Sequence, residues 1–485
     1  MAIDDTQYTE LFNSTLYKRL FCLTALVALA TLFWGLGEVA LLSFNEARRA
    51  LPAREMYASS DWLLPHLNGE LYITKPPFLY WLQTTFALVI GHVNEWTVRL
   101  PSALAALSVF VMVYVFCNRT MGRWQALFAV QILLANTSFT MFARRAEIEM
   151  LLTALCLASL LSAIWYIRYA QEKRWLYLSY AFLALALLTK GPLVLLLVTL
   201  PLLILAIMEK SPKNWEYFKS IKAWLIFLVI GLSWYLAVSL KLGFDIWSAV
   251  AHKDLASKMA GEGSKPLLSY IAWIAVDFLP VILILLIKPK QWLTYIRGHS
   301  GIKAVAIGVI VPLLVFSLFS NKHAKYLLPI YPLIAIILSG YLAMIMADIK
   351  LAYKKILVGL CMLIPAGFMM FYGLVEARVY SYRTAIFPEF SSWVSTIKVD
   401  KLYAYKDMDE RMFFYSAKPI TVLAEDEVRD TIAANHSLVL LIEAGQESAL
   451  ADVAHCRMAE FKPYLKRGKV LEAIGFGDVC AKSPE

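Results

Sequence analysis

Apolar runs of about twenty residues recur along the first 375 residues of this 485-residue chain, and they leave few folds open. Hydrocarbon offers no water to satisfy backbone N–H and C=O groups, so such runs are helices that cross a membrane. Candidate spans lie at roughly 20–41, 97–117, 124–142, 148–167, 175–189, 191–208, 223–240, 267–287, 304–319, 327–347 and 356–376. Lys190 and Pro192 interrupt the long stretch 175–208, where short helices would add crossings. The expected fold is therefore a polytopic α-helical membrane protein with about 11 to 13 transmembrane helices. The composition, 60% hydrophobic and 17% charged, agrees, since a soluble protein carries about 25% charge. The first apolar run follows Lys18 and Arg19 and is too long for a signal-peptide core, so it reads as an uncleaved anchor.

The run 76–91 opens on Pro76-Pro77 and ends in Gly91-His92. It is too short to span comfortably and suits a re-entrant or interfacial helix. Charge supports leaving it out. The loops 118–123, 168–174, 209–222, 288–303 and 348–355 then share one side, with 16 Lys and Arg against 4 acids. That side should be cytoplasmic. The same bias explains the net charge of +10 without a nucleic-acid partner. The N-terminus is then inside, the polar block 42–96 forms a first external loop, and the C-terminus is outside.

Two domains follow: 1–376 in the membrane and 377–485 as a small extracytoplasmic α/β domain. In the tail KLYAYK (401–406), FFYSAKPITVL (413–423), SLVLLIEA (437–444) and KVLEAIGFG (469–477) read as strands, and ESALADVAHCRMAEF (447–461) as a helix. Cys456 and Cys480 are placed to pair if the tail is exported, which the sequence leaves open.

The stretch Phe44 to Pro77 stands out against this background. It packs Glu46, Arg48, Arg49, Arg54, Glu55, Asp61, Glu70 and Lys75 among Trp62, His66 and Tyr72, beside the bilayer. It reads as one wall of an active site. The other external edges supply further walls: Arg144, Arg145, Glu147 and Glu149 in FARRAEIEM; Lys190 before Gly191-Pro192; His252 in the loop 241–266; and Lys322, His323, Lys325 and Tyr326 in SNKHAKYLLPIYP. Carboxylates and ammonium groups are costly in hydrocarbon unless paired or facing a wet cavity. Salt-bridge clustering and a structural histidine remain the plain alternatives. Asp277 is either a helix–helix contact or a pathway residue. The cations suit a phosphate, and a lipid-linked one, because no glycine-rich phosphate loop is present.

Glu46-Ala47-Arg48-Arg49, the run DWLLPHLNGELYITKPPFLYWL, RLPSAL at 99–104, ARRAEIEM, LTKGP and SNKHAKYLLPIYP resemble the aminoarabinose transferase branch of the GT-C membrane glycosyltransferases. Protein O-mannosyltransferases are more distant relatives. The resemblance covers roughly residues 20–350. It implies a polyprenyl-phosphate sugar as co-substrate, transferred with inversion to an acceptor on the outer face of a bacterial inner membrane. A lipid A or lipopolysaccharide-like glycolipid or glycan is the expected acceptor. It also implies that Arg48 and Lys75 contact the donor phosphate, with Lys190, Lys322 and Tyr326 around the same cavity.

The chain departs from the family pattern at three positions. The usual Asp-Glu pair is Asn45-Glu46, the acid before Lys-Pro-Pro is Thr74, and the Asp of the second external loop is Glu149. Asn45 cannot accept a proton. Three accounts stand: a phosphate acceptor that needs no base, with Asn45 orienting it; a hydroxyl acceptor served by Glu46 or Glu149; or lost catalysis with lipid binding retained. Glu147 and His252 are candidates for sugar or acceptor binding. No metal ligand is assigned, and a divalent metal is left open. A protein O-glycosyltransferase and a lipid-linked-sugar transporter are the competing functions. The sugar and the oligomeric state stay open.

Overall fold

The computed structural model describes residues 14–481 apart from 171, 249, 251–264, 288, 349, 436, 447–449, 451–452, 463 and 465–468. Helix α1 (Ser14–Phe33) leads into an irregular segment and then α2 (Phe44–Ser59), the helix that begins the polar block. Ser43 opens α2, its Oγ accepting the Glu46 N–H at 3.2 Å. The hairpin of β1 (His66–Leu67) and β2 (Glu70–Leu71) turns at Asn68-Gly69, both at positive φ. The N–H groups of those two residues donate to the Glu55 carboxylate at 2.7 and 3.1 Å, which fastens the hairpin to α2.

Helix α3 (Phe78–Ile90) has 13 residues and stops at Gly91 with φ 94°. At 1.5 Å per residue it reaches about 20 Å, short of a hydrocarbon core. It accounts for the run 76–91 that the sequence reading leaves out of the spans. Helix α4 (Glu95–Thr120) starts from an Asn94–Thr97 capping box. Helices α5 (Arg123–Leu134) and α6 (Thr137–Ala143) meet at a 76° bend, where the Asn136 side chain caps α6. Then come α7 (Ile148–Arg168) and α8 (Lys173–Lys190), the latter ended by Gly191 at φ 81°.

Six helices among the described residues are long and apolar enough to cross a membrane, or eight if each bent pair is one span. The expected runs at 175–208, 223–240 and 267–287 are each broken. The last divides into a helix at Ser269–Asp277 and a 3-10 turn at Val281–Leu286. At that break the Tyr331 hydroxyl donates to Asp277 Oδ2 at 2.5 Å, and Asn136 Nδ2 donates to its carbonyl at 3.0 Å. Asp277 is thus a helix–helix contact. Helix α7 is the centre of the bundle: 94% of its apolar window is buried, against 17% for the helix Tyr353–Thr384 at the periphery.

One buried ionic network joins the polar ends of these helices. Glu46 is fully buried and accepts from Arg99 Nε at 3.0 Å, Leu42 N at 2.8 Å and Ala146 N at 3.0 Å. Arg99 also donates to the carbonyls of Leu36, Val39 and Ala40 at 2.9, 2.6 and 3.1 Å, fixing the segment between α1 and α2. Arg145 lies 3.8 Å from Glu46 and 3.0 Å from Glu376, which Arg144 also meets at 3.3 Å. Burial alone would raise the Glu46 pKa. The charges of Arg99 and Arg145, with the N–H bonds, outweigh that and hold it at about 2.

The expected boundary at 376/377 falls inside a continuous helix, because Glu376 serves the ionic network and the chain stays helical to Thr384. Beyond it a five-stranded mixed sheet runs in the order β4-β3-β5-β7-β6. Its strands are β3 (Leu402–Tyr405), β4 (Ile420–Leu423), β5 (Ser437–Glu443), β6 (Cys456–Phe461) and β7 (Leu471–Gly477). Two tail expectations are corrected. Residues 410–415 form a short helix capped by Asp409, so strand β4 begins only at Ile420. Residues 456–461, expected as helix, form β6 against β7, because Phe461 and the Cys456–Cys480 disulfide draw them to the sheet.

Replacing Glu46 with Gln leaves Arg99 buried without its counter-charge, and is expected to cost about 3–5 kcal/mol, read as a large fall in the midpoint of thermal unfolding. Because Glu46 is held below its ordinary value of 4.5, its contribution is complete above that pH and disappears as pH falls towards about 2. The wild type should lose stability over that acid window more steeply than Glu46→Gln.

Candidate active site

The N-terminus of α7 gathers the charged groups. Glu147 is its extended N-cap residue and Glu149 lies in its first turn, where a helix dipole favours carboxylates. Lys190, the last residue of α8, places Nζ 3.2 Å from Glu149 Oε1 and 5.1 Å from the centre of the Tyr326 ring. The Gly191 break at positive φ ends α8 there and lets the chain turn away. Lys325 bridges both carboxylates, 2.9 Å from Glu147 Oε2 and 3.5 Å from Glu149 Oε1.

The polar block contributes Arg49. Its Nη1 donates to the Tyr72 hydroxyl at 2.9 Å and the Tyr80 hydroxyl at 3.0 Å, and its charge acts on Glu149. Tyr72 also bonds Thr74, one residue before the half-buried Lys75. Burial would raise the Tyr72 phenol, but the Arg49 charge and the hydrogen bonds with Thr74 and Arg49 together outweigh that and lower it. The exposed His323 stacks edge-on against Tyr326, 5.2 Å between centres. Partial burial and then the charges of Lys265, Lys325 and Lys190 push its pKa down, as expected in a positive field.

The two carboxylates differ in their partners. Glu149 faces Lys190, Lys325 and Arg49, three cations. Among the described residues Glu147 is ion-paired with Lys325 alone, and burial, then the adjacent charge of Glu149, raise its pKa above the usual glutamate range. The arrangement therefore holds one proton-accepting group beside a cluster of cations with a fixed counter-ion. That combination is suited to an incoming anion and an acceptor that loses a proton.

The remaining expected residues lie elsewhere. Arg48 points to the C-terminal domain, pairing with Glu410, its Nε 3.0 Å from Glu410 Oε1. Lys322 is 3% exposed and donates to the carbonyls of Lys265 and Phe319 at 3.1 and 2.6 Å. Glu46 is committed to Arg99 and two backbone N–H groups. Asn45 is half-buried at the start of α2, and its side chain makes no hydrogen bond to another described residue. His252 lies outside the described residues. No group of three or more His, Cys, Asp or Glu among the described residues is placed to hold a metal.

The structure brings Arg49 and Lys325 to the cluster in place of their neighbours Arg48 and Lys322. The signal for the first was in the helix period. Arg49, Ala53 and Met56 lie one turn apart on the face of α2 that meets Tyr80, whereas Ala47, Ala50 and Leu51 face the C-terminal domain. Nothing comparable distinguishes Lys325, because its segment is an irregular 3-10 turn.

The chain is similar to several known proteins in sequence and in fold. Residues 74–248 match the family model described as dolichyl-phosphate-mannose-protein mannosyltransferase. An uncharacterized protein of Aquifex aeolicus is 27% identical over 83% of this chain and 89% of its own length. The undecaprenyl phosphate-alpha-4-amino-4-deoxy-L-arabinose arabinosyl transferase of Shewanella sediminis is 26% identical over 63% of this chain. The chain spans 56% of that transferase's length. Among solved structures, ArnT from Cupriavidus metallidurans bound to undecaprenyl phosphate superposes with a TM-score of 0.80 at 19% identity, covering 93% of this chain and 97% of that one. The Archaeoglobus fulgidus oligosaccharyltransferase follows at a TM-score of 0.55. In sequence and in fold, this chain resembles the aminoarabinose transferase-like branch of the GT-C membrane glycosyltransferases.

Proposed function

We propose that this protein is an inverting glycosyltransferase of a bacterial inner membrane. Its donor is a sugar on a polyprenyl phosphate of the undecaprenyl kind. Its acceptor is an envelope glycolipid or glycan, lipid A-like, on the periplasmic face. The N-terminus is cytoplasmic, the C-terminal domain periplasmic, and the broken apolar runs bring the crossings to about eleven. The observation that carries this reading is the convergence of Lys190 and Lys325 on the two carboxylates at the start of α7, with the charge of Arg49 acting on Glu149, in a chain similar to transferases of that donor class.

In the reaction an acceptor oxygen attacks the sugar C1 as the bond from C1 to the phosphate oxygen breaks. The departing phosphate gains negative charge. Arg49, Lys75, Lys190 and Lys325 are assigned to stabilise that charge, because cations fixed in a water-poor site act most strongly where charge develops. Glu149 remains ionised as the counter-ion that orients Lys190 and Lys325. Glu147 accepts the acceptor's proton when the nucleophile is a hydroxyl, and Asn45 orients the acceptor without taking one. No step is assigned to Glu46 or Arg48, whose partners hold them in the scaffold.

Lys190→Met should lower transfer by about a hundredfold or more in membranes supplied with polyprenyl-phosphate sugars, with products read by mass spectrometry of envelope glycolipids. Full transfer by that variant would remove the phosphate assignment, and sugar appearing on protein instead would favour the O-glycosyltransferase reading.

A base must be unprotonated to act, so kcat/KM for a hydroxyl acceptor should rise with pH through the raised Glu147 pKa and then level off. Glu147→Gln should abolish the rise. An unchanged pH profile in that variant would instead indicate an acceptor that is already an anion.

A further inference from the structure

Helix α2 has two working faces. One presents Arg49 to the charged cluster, and the other is held by the C-terminal domain. Ala47, Ala50 and Leu51 of α2 share a single buried core with Phe387, Phe390, Met412 and Phe413 of that domain. The polar contacts around this core come from one short helix, Glu410–Tyr415. Glu410 pairs with Arg48, and Arg411 donates to the Leu42 carbonyl at 3.2 Å. Arg54 in turn donates to the carbonyls of Phe413 and Phe414 at 2.9 and 2.8 Å, at the C-terminal end of that short helix.

Tyr415 contributes the most specific contact. Its hydroxyl donates to Glu95 Oε1 at 2.7 Å, at the start of α4, and accepts the Leu41 N–H at 2.8 Å, just ahead of α2. One phenol therefore ties together the beginnings of α2 and α4, the two helices that carry Glu46 and Arg99. The Tyr415 ring stacks on Phe387 with 4.8 Å between centres, so the residue can lose its hydroxyl without losing its packing.

We propose that Glu410 and Tyr415 of the C-terminal domain are positioning residues for transfer, setting the placement of α2 and thereby of Arg49 in the donor-phosphate cluster. The inference rests on the donor reading given above. Neither residue touches the cluster: Glu410 acts through Arg48, and Tyr415 through Leu41 and Glu95. The domain is thus a buttress of the active site. A site that holds a phosphate through fixed cations tolerates displacements of only about 0.5 Å, so small shifts of α2 should be read out in donor affinity.

The test uses full-length protein in nanodiscs with undecaprenyl phosphate as the probe, measuring probe affinity and the thermal midpoint without probe. Tyr415→Phe and Glu410→Gln should each bind the probe about tenfold more weakly, with little change in the midpoint. The charge exchange Arg48→Glu with Glu410→Arg should recover affinity relative to Glu410→Arg alone. Variants that bind as tightly as a binding-competent wild type would overturn the inference and leave the donor reading intact. Variants that lose affinity only in proportion to a lowered midpoint would also overturn it, since the contacts would then be structural alone. A wild type that does not bind the probe would overturn the donor reading, and this inference with it.

Discussion

The contact between Glu46 and Arg99 is the constraint on which the rest of the polar end depends. A fully buried carboxylate and a guanidinium 2% exposed would each be prohibitive alone. Together, with the carbonyls of Leu36, Val39 and Ala40 and the N–H groups of Leu42 and Ala146 recruited, they fix four segments at once: the irregular turn after α1, the start of α2, the start of α4 and the loop before α7. Arg144, Arg145 and Glu376 extend the same network to the helix that leads into the C-terminal domain. Three guanidiniums share two carboxylates, and the backbone carbonyls of Thr31 and Leu32 accept from Arg144 Nη1.

The catalytic candidates occupy the rim of this lock. Glu147 follows Arg145 by two residues, and Arg49 follows Glu46 by three, just under one helical turn. A rigid scaffold beneath and a charged cluster above is the arrangement that electrostatic stabilisation of a departing phosphate requires, since the cations need not reorganise as charge develops. In the resting site the lysines are neutralised by Glu147 and Glu149. Under the proposed function, an incoming phosphate would compete for the same ammonium groups and so couple donor binding to the release of Glu147 as a base.

Much of this was legible in the sequence. The polar block, the FARRAEIEM edge, Lys190 before its Gly-Pro break and the SNKHAKY segment are the parts that converge, and α3 is the short helix its length and prolines indicate. The roles within each part were less legible. Glu46 and Glu149 are both acidic residues beside arginines in the sequence; only the fold shows that Glu46 is sealed and Glu149 faces three cations. Neighbouring cations, Arg48 with Arg49 and Lys322 with Lys325, are assigned by which helix face or turn they occupy. The tail misreadings have a similar origin. FFYS is apolar enough for a strand, but the Asp409 cap and the docking of Phe413 against α2 make it a helix. Apolar patterning identifies that a segment is buried before it identifies its backbone.

The central claim is that donor phosphate is held by Arg49, Lys190 and Lys325 and not by Arg48 and Lys322. A cryo-electron microscopy structure of the protein in nanodiscs with undecaprenyl phosphate tests it directly. The phosphate is predicted within hydrogen-bonding distance of Lys190, Lys325 and Arg49, with Arg48 still on Glu410. Phosphate density beside a released Arg48, or away from the start of α7 altogether, would contradict the account.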